Sequence, residues 1–231
     1  MLVIENLKSG YRGSEVLQGI DLEAQEGGIM ALLGRNGMGK TTLMRTIMGL
    51  TPASAGRIGF MGRDIAGLAP WEIANLGIAY VPQGREIFAD FTVEENLVLG
   101  VLGKKTREIP DLVYQHFPIL RERRSQRAGT MSGGQQQQLA IARALAGRPR
   151  MLLLDEPSEG IQPSMVTQIA EVLRGIADGE GLTVLVVEQN VDMVFDMADD
   201  CAFIENGRVA ARMPVEQLRR DESILHRYLS V

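Results

Sequence analysis

Three stretches of this 231-residue chain predict an α/β fold built around a phosphate-binding loop. The first is Gly34-Arg35-Asn36-Gly37-Met38-Gly39-Lys40-Thr41-Thr42, which fits the pattern G-x-x-x-x-G-K-[ST] at every required position. The apolar run Ile29-Met30-Ala31-Leu32-Leu33 before it reads as a buried strand, and the amphipathic run Leu43-Met44-Arg45-Thr46-Ile47-Met48 after it reads as a helix. The second is Leu152-Leu153-Leu154-Asp155-Glu156, a buried strand that ends in two carboxylates. The third is the continuous apolar run at 182–187, which suits a parallel sheet covered on both faces.

The loop chemistry follows from these residue types. Glycines let the backbone curl so that successive N–H groups point at phosphate oxygens, and the helix start adds the positive end of its dipole. Lys40 would reach the outer phosphates and the Thr41 hydroxyl would ligate Mg²⁺. Ligands bind at the carboxyl ends of parallel strands, so Asp155 and Glu156 arrive at the same rim. Asp155 would hold Mg²⁺, and Glu156 could take a proton from the attacking water. Ser132-Gly133-Gly134-Gln135 is a further capped helix start able to approach phosphate. The chain already has one phosphate loop, so this segment fits the nucleotide held by a partner copy.

In chain order, residues 2–7 and 20–24 read as strands, with Tyr11 in a loop between them. Residues 56–65 read as a second strand pair turning at Met61-Gly62-Arg63, completing a small antiparallel sheet. Residues 71–76 read as a short helix, and Ile78-Ala79-Tyr80-Val81 as a strand ending at Pro82-Gln83. Thr92-Val93-Glu94-Glu95 is a capping box that opens a helix toward Leu102. One basic-ended helix is expected over 111–124, and strand signals are scarce from 91 to 128, which marks a helical insertion. An alanine-rich helix follows Ser132 to Leu145, and Pro163 opens another that reaches Ile176. Asn206-Gly207 signals a hairpin, and one amphipathic helix is expected over 215–229.

Composition narrows the setting. Hydrophobic residues at 45 % and charged residues at 23 % give a globular balance with enough length for a buried core. A net charge of -5 argues against a nucleic-acid partner. Cys201 is the only cysteine, so no intrachain disulfide can form, which suits a reducing compartment. The start lacks the pattern of a signal peptide, and no apolar run approaches the ~20 residues that span a bilayer. Any membrane span must come from another chain.

The motif order resembles that of an ABC-transporter ATPase over essentially the whole chain: phosphate loop, Gln83, Met131-Ser132-Gly133-Gly134-Gln135, then Leu154-Asp155-Glu156-Pro157. The resemblance implies a P-loop NTPase with a RecA-like core, an antiparallel β-subdomain and a helical subdomain. It further implies a single domain over 1–231, with the core and β-subdomain in 1–85 and 149–231 and the helical subdomain in 86–148. It implies ATP and Mg²⁺ as cofactors and a head-to-tail pair of ATPase subunits. Each ATP then lies between residues 34–42 of one chain and Ser132, Gly133, Gly134 and Gln135 of the other. By the same resemblance Tyr11 stacks on adenine, and Gln83 touches Mg²⁺ or the water and connects to the membrane subunit.

Two positions depart from the family pattern. Gln162 stands where the D-loop usually has aspartate, and Gln189 where the switch residue is usually histidine. Glutamine can hydrogen-bond a γ-phosphate but cannot titrate near neutrality, so more of the water activation falls on Glu156. Neither His116 nor His226 replaces it, and both are expected at the surface. Val187-Glu188-Gln189-Asn190 and Pro82-Gln83-Gly84-Arg85, with Ile87-Phe88 and Leu97, resemble the F-type ATPases of branched-chain amino acid importers. Glu159-Gly160-Ile161-Gln162-Pro163-Ser164 and the closing Arg227-Tyr228-Leu229-Ser230-Val231 resemble the related urea-importer ATPases. The implied partners are integral-membrane permease subunits, a second ABC ATPase and, indirectly, a periplasmic solute-binding protein, at the inner face of the cell membrane. By the same resemblance the expected docking surface lies between Gln83 and the helical insertion, near Arg85 to Leu97, with Phe88, Phe91 and Leu97 as apolar candidates that are equally suited to the core. The alternatives are the ATPase of an exporter or of a soluble assembly such as iron–sulfur cluster delivery.

Overall fold

A computed structural model describes residues 1–103, 108–221 and 223–229. Strands β1 (Leu2–Tyr11) and β2 (Ser14–Ala24) form a hairpin, and β3 (Ile29–Leu33) leads into helix α1 (Lys40–Ile47). Then come β4 (Ala53–Phe60), β5 (Arg63–Asp64), α2 (Pro70–Asn75) and β6 (Ile78–Val81). Helices α3 (Val93–Gly100), α4 (Asp111–His116), α5 (Pro118–Glu122) and α6 (Gly133–Ala146) occupy the middle of the chain. The last third runs β7 (Met151–Asp155), α7 (Pro163–Glu180), β8 (Thr183–Glu188), α8 (Val191–Met197), β9 (Asp200–Glu205), β10 (Arg208–Pro214), α9 (Val215–Arg220) and α10 (Ser223–Leu229).

Two sheets result. β2-β1-β4-β5 is antiparallel, and β10-β9-β3-β8-β7-β6 is parallel except for β10. In the larger sheet β3 is buried along its whole length because its two faces serve different cores. Ile29, Ala31 and Leu33 pack with α6 and α7 residues such as Leu139, Ile169 and Leu173. Met30 and Leu32 pack with Leu43, Met44 and Ile47 of α1 and with Ile4, Ile58 and Phe60 of the antiparallel sheet. A strand covered on both faces needs apolar residues at every position, not at every second one.

Several expectations are corrected. Tyr11 ends β1, not a loop, because Tyr11 pairs with Ser14 across a two-residue turn at Arg12 and Gly13. The single helix expected over 111–124 is two helices. Pro118 has no N–H to continue the ladder, and it holds Phe117 out of helical geometry at φ -127 and ψ 69. The final helix also breaks, at Asp221, whose φ -137 and ψ 86 are extended. The helix from Pro163 runs past Ile176 to Glu180 and stops at Gly181 in the left-handed region. Leu97, which suited either the docking surface or the core, is fully buried in the core. His116 is half-buried and His226 exposed. Ser230 and Val231, part of the urea-type resemblance, lie outside the described residues.

Candidate nucleotide site

The parallel strands set the site. Leu33 of β3 is level with Glu188 of β8, Asp155 of β7 with Val187, and Val81 of β6 with Leu154, so the carboxyl ends form one rim. The loop at 34–39 leaves this rim and enters α1 through Gly39, which has φ 106. A side chain at Gly39 would meet Leu17 at 2.9 Å as well as a backbone conformation that L-residues rarely hold.

Lys40 is buried, and its ammonium donates to the carbonyls of Gly34 (2.7 Å) and Arg35 (3.1 Å) and pairs with Glu156 Oε1 at 3.2 Å. Glu156 has left-handed backbone, φ 49, and is held there by its N–H bond to the Val187 carbonyl (2.9 Å). Gln189 donates to Glu156 Oε1 (3.0 Å) and to Asn36 Oδ1 (2.7 Å). Gln83 donates to Glu156 Oε2 (3.3 Å) and to Glu159 Oε2 (3.0 Å). Lys40, Gln83, Gln189 and Glu156, expected to work together, therefore form one connected cluster.

The Thr41 hydroxyl donates to Asp155 Oδ1 at 3.1 Å, and the Tyr80 phenol donates to Asp155 Oδ2 at the same distance. Burial pushes the Asp155 carboxyl above its ordinary range, and the Thr41 and Tyr80 hydrogen bonds offset this in part. Burial and the neighbouring Asp155 charge push the Tyr80 phenol up. Thr41 and Asp155 make a hard-oxygen pair of the kind Mg²⁺ takes, with phosphate and water completing its shell. No group of three or more potential ligands from His, Cys, Asp and Glu occurs among the described residues.

Tyr11 is half exposed, and its hydroxyl accepts from Thr51, in the turn after α1, at 3.5 Å. Ser132 caps α6, accepting from Gln135 N–H at 3.4 Å while the Gln135 side chain accepts from Ser132 N–H at 3.2 Å. Gly133 lies against Arg85 and Gly160, and Gly134 against Met165. These neighbours of the segment are residues outside 34–42, and Ser132 is exposed.

A model of the family described as "ABC transporter" matches residues 17–159. The chain belongs to the ABC transporter family. BraG of Pseudomonas aeruginosa, a high-affinity branched-chain amino acid transport ATP-binding protein, is 42 % identical over 212 residues, covering 90 % of this chain and 91 % of BraG. LivF of Archaeoglobus fulgidus, a probable branched-chain amino acid transport ATP-binding protein, is 36 % identical over 96 % of this chain and 95 % of its own. LptB of Haemophilus influenzae, a lipopolysaccharide export system ATP-binding protein, is 33 % identical over 99 % and 97 %. A nucleotide-free ATP-binding cassette of an ABC transporter superposes with a TM-score of 0.85 at 26 % identity, covering 97 % of both chains. The ADP conformation of the cassette MJ1267 gives the same score and identity over 98 % and 97 %. This chain is therefore an ABC ATPase, the ATP-binding subunit of a transporter. Among its described residues no helix is long and apolar enough to cross a membrane.

Two residues of this ABC site lie outside the sequence-based assignment of roles. Glu188 is buried and accepts from Ser158 N–H and hydroxyl (both 2.8 Å), Gln189 N–H (2.9 Å) and Asn190 N–H (3.1 Å). It ties the loop after Glu156 to the loop that carries Gln189. Burial raises its carboxyl above the ordinary range despite the four donated bonds. The signal for it was a charged residue ending an otherwise apolar strand. Tyr80 was legible only as a polar-tipped ring in a buried strand.

Proposed function

We propose that this ATPase powers import of a small solute of the branched-chain amino acid, urea or related amide class. The observation that carries the chemistry is the convergence of Lys40, Gln83 and Gln189 on the single carboxylate of Glu156. Lys40 takes up the charge of the outer phosphates. Glu156 accepts the proton of the attacking water, while Gln83 and Gln189 orient that water and the γ-phosphate by hydrogen bonds alone. Mg²⁺, held by Thr41 and Asp155, would neutralise charge developing on the phosphate oxygens. Tyr11 stacks on the base, the backbone of residues 34–42 cradles the phosphates, and Ser132, Gly133, Gly134 and Gln135 complete the site of a second ATPase subunit.

Import is supported by the identities to BraG and LivF, 42 % and 36 %, against 33 % to LptB, and by Gln189 at the switch position. The permease subunits dock on a groove of about 510 Å³ along the free edge of β6, lined among others by Tyr80, Phe88, Leu99 and Arg143. Phe88 and Phe91 stack at 5.3 Å beside it and are half exposed, and Asn96 pins their loop through both Phe88 backbone groups. A periplasmic binding protein meets the permease and not this chain, which works on the cytoplasmic side.

The test is ATP turnover per chain across a wide concentration range. A rate that rises with concentration is expected if two copies complete each other's sites. Flat, near-zero turnover with ATP still bound assigns the second site to a different ATPase. Full turnover by isolated chains overturns the paired site. Uptake of labelled leucine against labelled urea by vesicles carrying the permease subunits then identifies the solute.

A further inference from the structure

Arg85 lies two residues beyond Gln83, where it and Glu86 both adopt left-handed backbone, with φ 73 and 44. Non-glycine residues stay there only when their surroundings hold them. Arg143 of α6 does so, donating to the carbonyls of Arg85 (3.4 Å) and Glu86 (2.9 Å), and the Arg85 N–H bonds to the Pro82 carbonyl at 3.2 Å. The guanidinium then bridges outward. Its Nη2 donates to the carbonyls of Glu159 (3.2 Å) and Gly160 (3.3 Å), and its Nη1 to Gln136 Oε1 (3.5 Å). It rests directly on Gly133, where an added Cβ would come within 3.2 Å of Nη1, 3.3 Å of Nη2 and 3.3 Å of the Gly160 carbonyl. Gln136 carries the contact onward, donating to the carbonyls of Ala128, Gly129 and Met131 in the turn ahead of Ser132.

One side chain thus joins the Gln83 loop, the start of α6 and the loop after Glu156. We propose that Arg85 is a positioning residue whose guanidinium fork fixes the start of α6 against residues 158–162, so that the Gln83 loop sets how Ser132 and Gly134 meet a second chain's nucleotide. Where Ser132 and Gly134 act rests on the paired-site reading above, whereas the clamp itself does not. The fork is essential to it. Arginine offers planar, divergent donors to two carbonyls and an amide at once, and the single ammonium of lysine cannot span them.

The experiment compares the full-length chain with Arg85→Ala and Arg85→Lys. Amide exchange should accelerate roughly tenfold in both variants over 129–136 and 158–162 together, as lost charge-assisted bonds release both segments. ATP affinity should stay within about twofold, because residues 34–42 are untouched, while kcat falls roughly tenfold. Unchanged exchange in either segment overturns the clamp. So does weakened ATP binding with kcat intact, which would put Arg85 at its own chain's site. Exchange accelerated everywhere in Arg85→Ala would mean unfolding, and Arg85→Lys, which keeps stem and charge, then carries the same comparison. If wild-type turnover per chain proves full and independent of concentration, the paired site fails, and the clamp stands or falls on exchange alone.

Discussion

Replacing Glu156 by Gln should move binding and hydrolysis in opposite directions. In the structure Oε1 of Glu156 receives Lys40 at 3.2 Å and Gln189 at 3.0 Å, and Oε2 receives Gln83 at 3.3 Å. A glutamine that keeps its oxygen toward Lys40 and Gln189 must turn its amino group toward the Gln83 amino group, which loses one hydrogen bond, about 1 kcal/mol. Lys40 also loses its counter-charge and is left with neutral acceptors alone, the new amide oxygen and the Gly34 and Arg35 carbonyls. An ammonium that no longer has to leave a carboxylate should bind outer phosphates about three- to tenfold more tightly, roughly 0.6–1.4 kcal/mol. Loss of the proton acceptor should slow hydrolysis by roughly 10²–10⁴, or about 2.7–5.5 kcal/mol on the barrier. Calorimetric titration with ATP and a phosphate-release assay read the two effects, and size-exclusion chromatography with ATP should show paired chains accumulating. Turnover within about tenfold of wild type would remove Glu156 as the base. Weaker ATP binding would refute the exchange of Lys40 between carboxylate and phosphate.

Other outcomes follow from particular contacts. Burial holds the Glu188 carboxyl above its ordinary range, so its share of stability is present below the unfolded value and lost as pH rises through the folded one. Glu188→Gln removes that dependence, and the variant should therefore gain on wild type in urea midpoint between pH 5 and pH 8; a constant difference would contradict it. Phe88→Asp should abolish co-purification with permease subunits while ATP affinity stays within about twofold, since Phe88 is half exposed and touches Phe91 and Arg143 and not the phosphate loop. Undiminished co-purification would move the docking surface elsewhere. Burial pushes the Cys201 thiol up to about 12, so a thiol reagent at neutral pH should label the native chain at least ~100-fold more slowly than the urea-unfolded one. Equal rates would deny that burial.

What the sequence disclosed was local in origin. The phosphate loop, the two capping boxes and the hairpin at Asn206-Gly207 depend on neighbours within a few residues, and each forms where its residues stand. Helix breaks were harder. Pro118 and Asp221 interrupt patterns whose apolar spacing continues on either side, so periodicity joined what the backbone separates. Leu97 stood as a docking candidate by resemblance and equally as core, and packing of α3 on α6 decides for core. Arg85 and Glu188 could not be assigned from sequence because the contacts that tie them to other loops lie 30 to 75 positions away. At the site, residue types announced the chemistry, and only folding revealed which carboxylate Lys40, Gln83 and Gln189 share.

The strand that carries the phosphate loop is gripped from both sides, its odd-numbered residues by one core and its even-numbered residues by the other. Neither layer can melt while the other stays whole, because each would strip half the side chains from the same five residues. Heat should therefore take the chain apart in one cooperative step, and a ligand seated at residue 34 onward should raise the melting point of both layers together. The same mounting makes the loop a stiff fixture, because the strand beneath it is held by packed side chains on both faces.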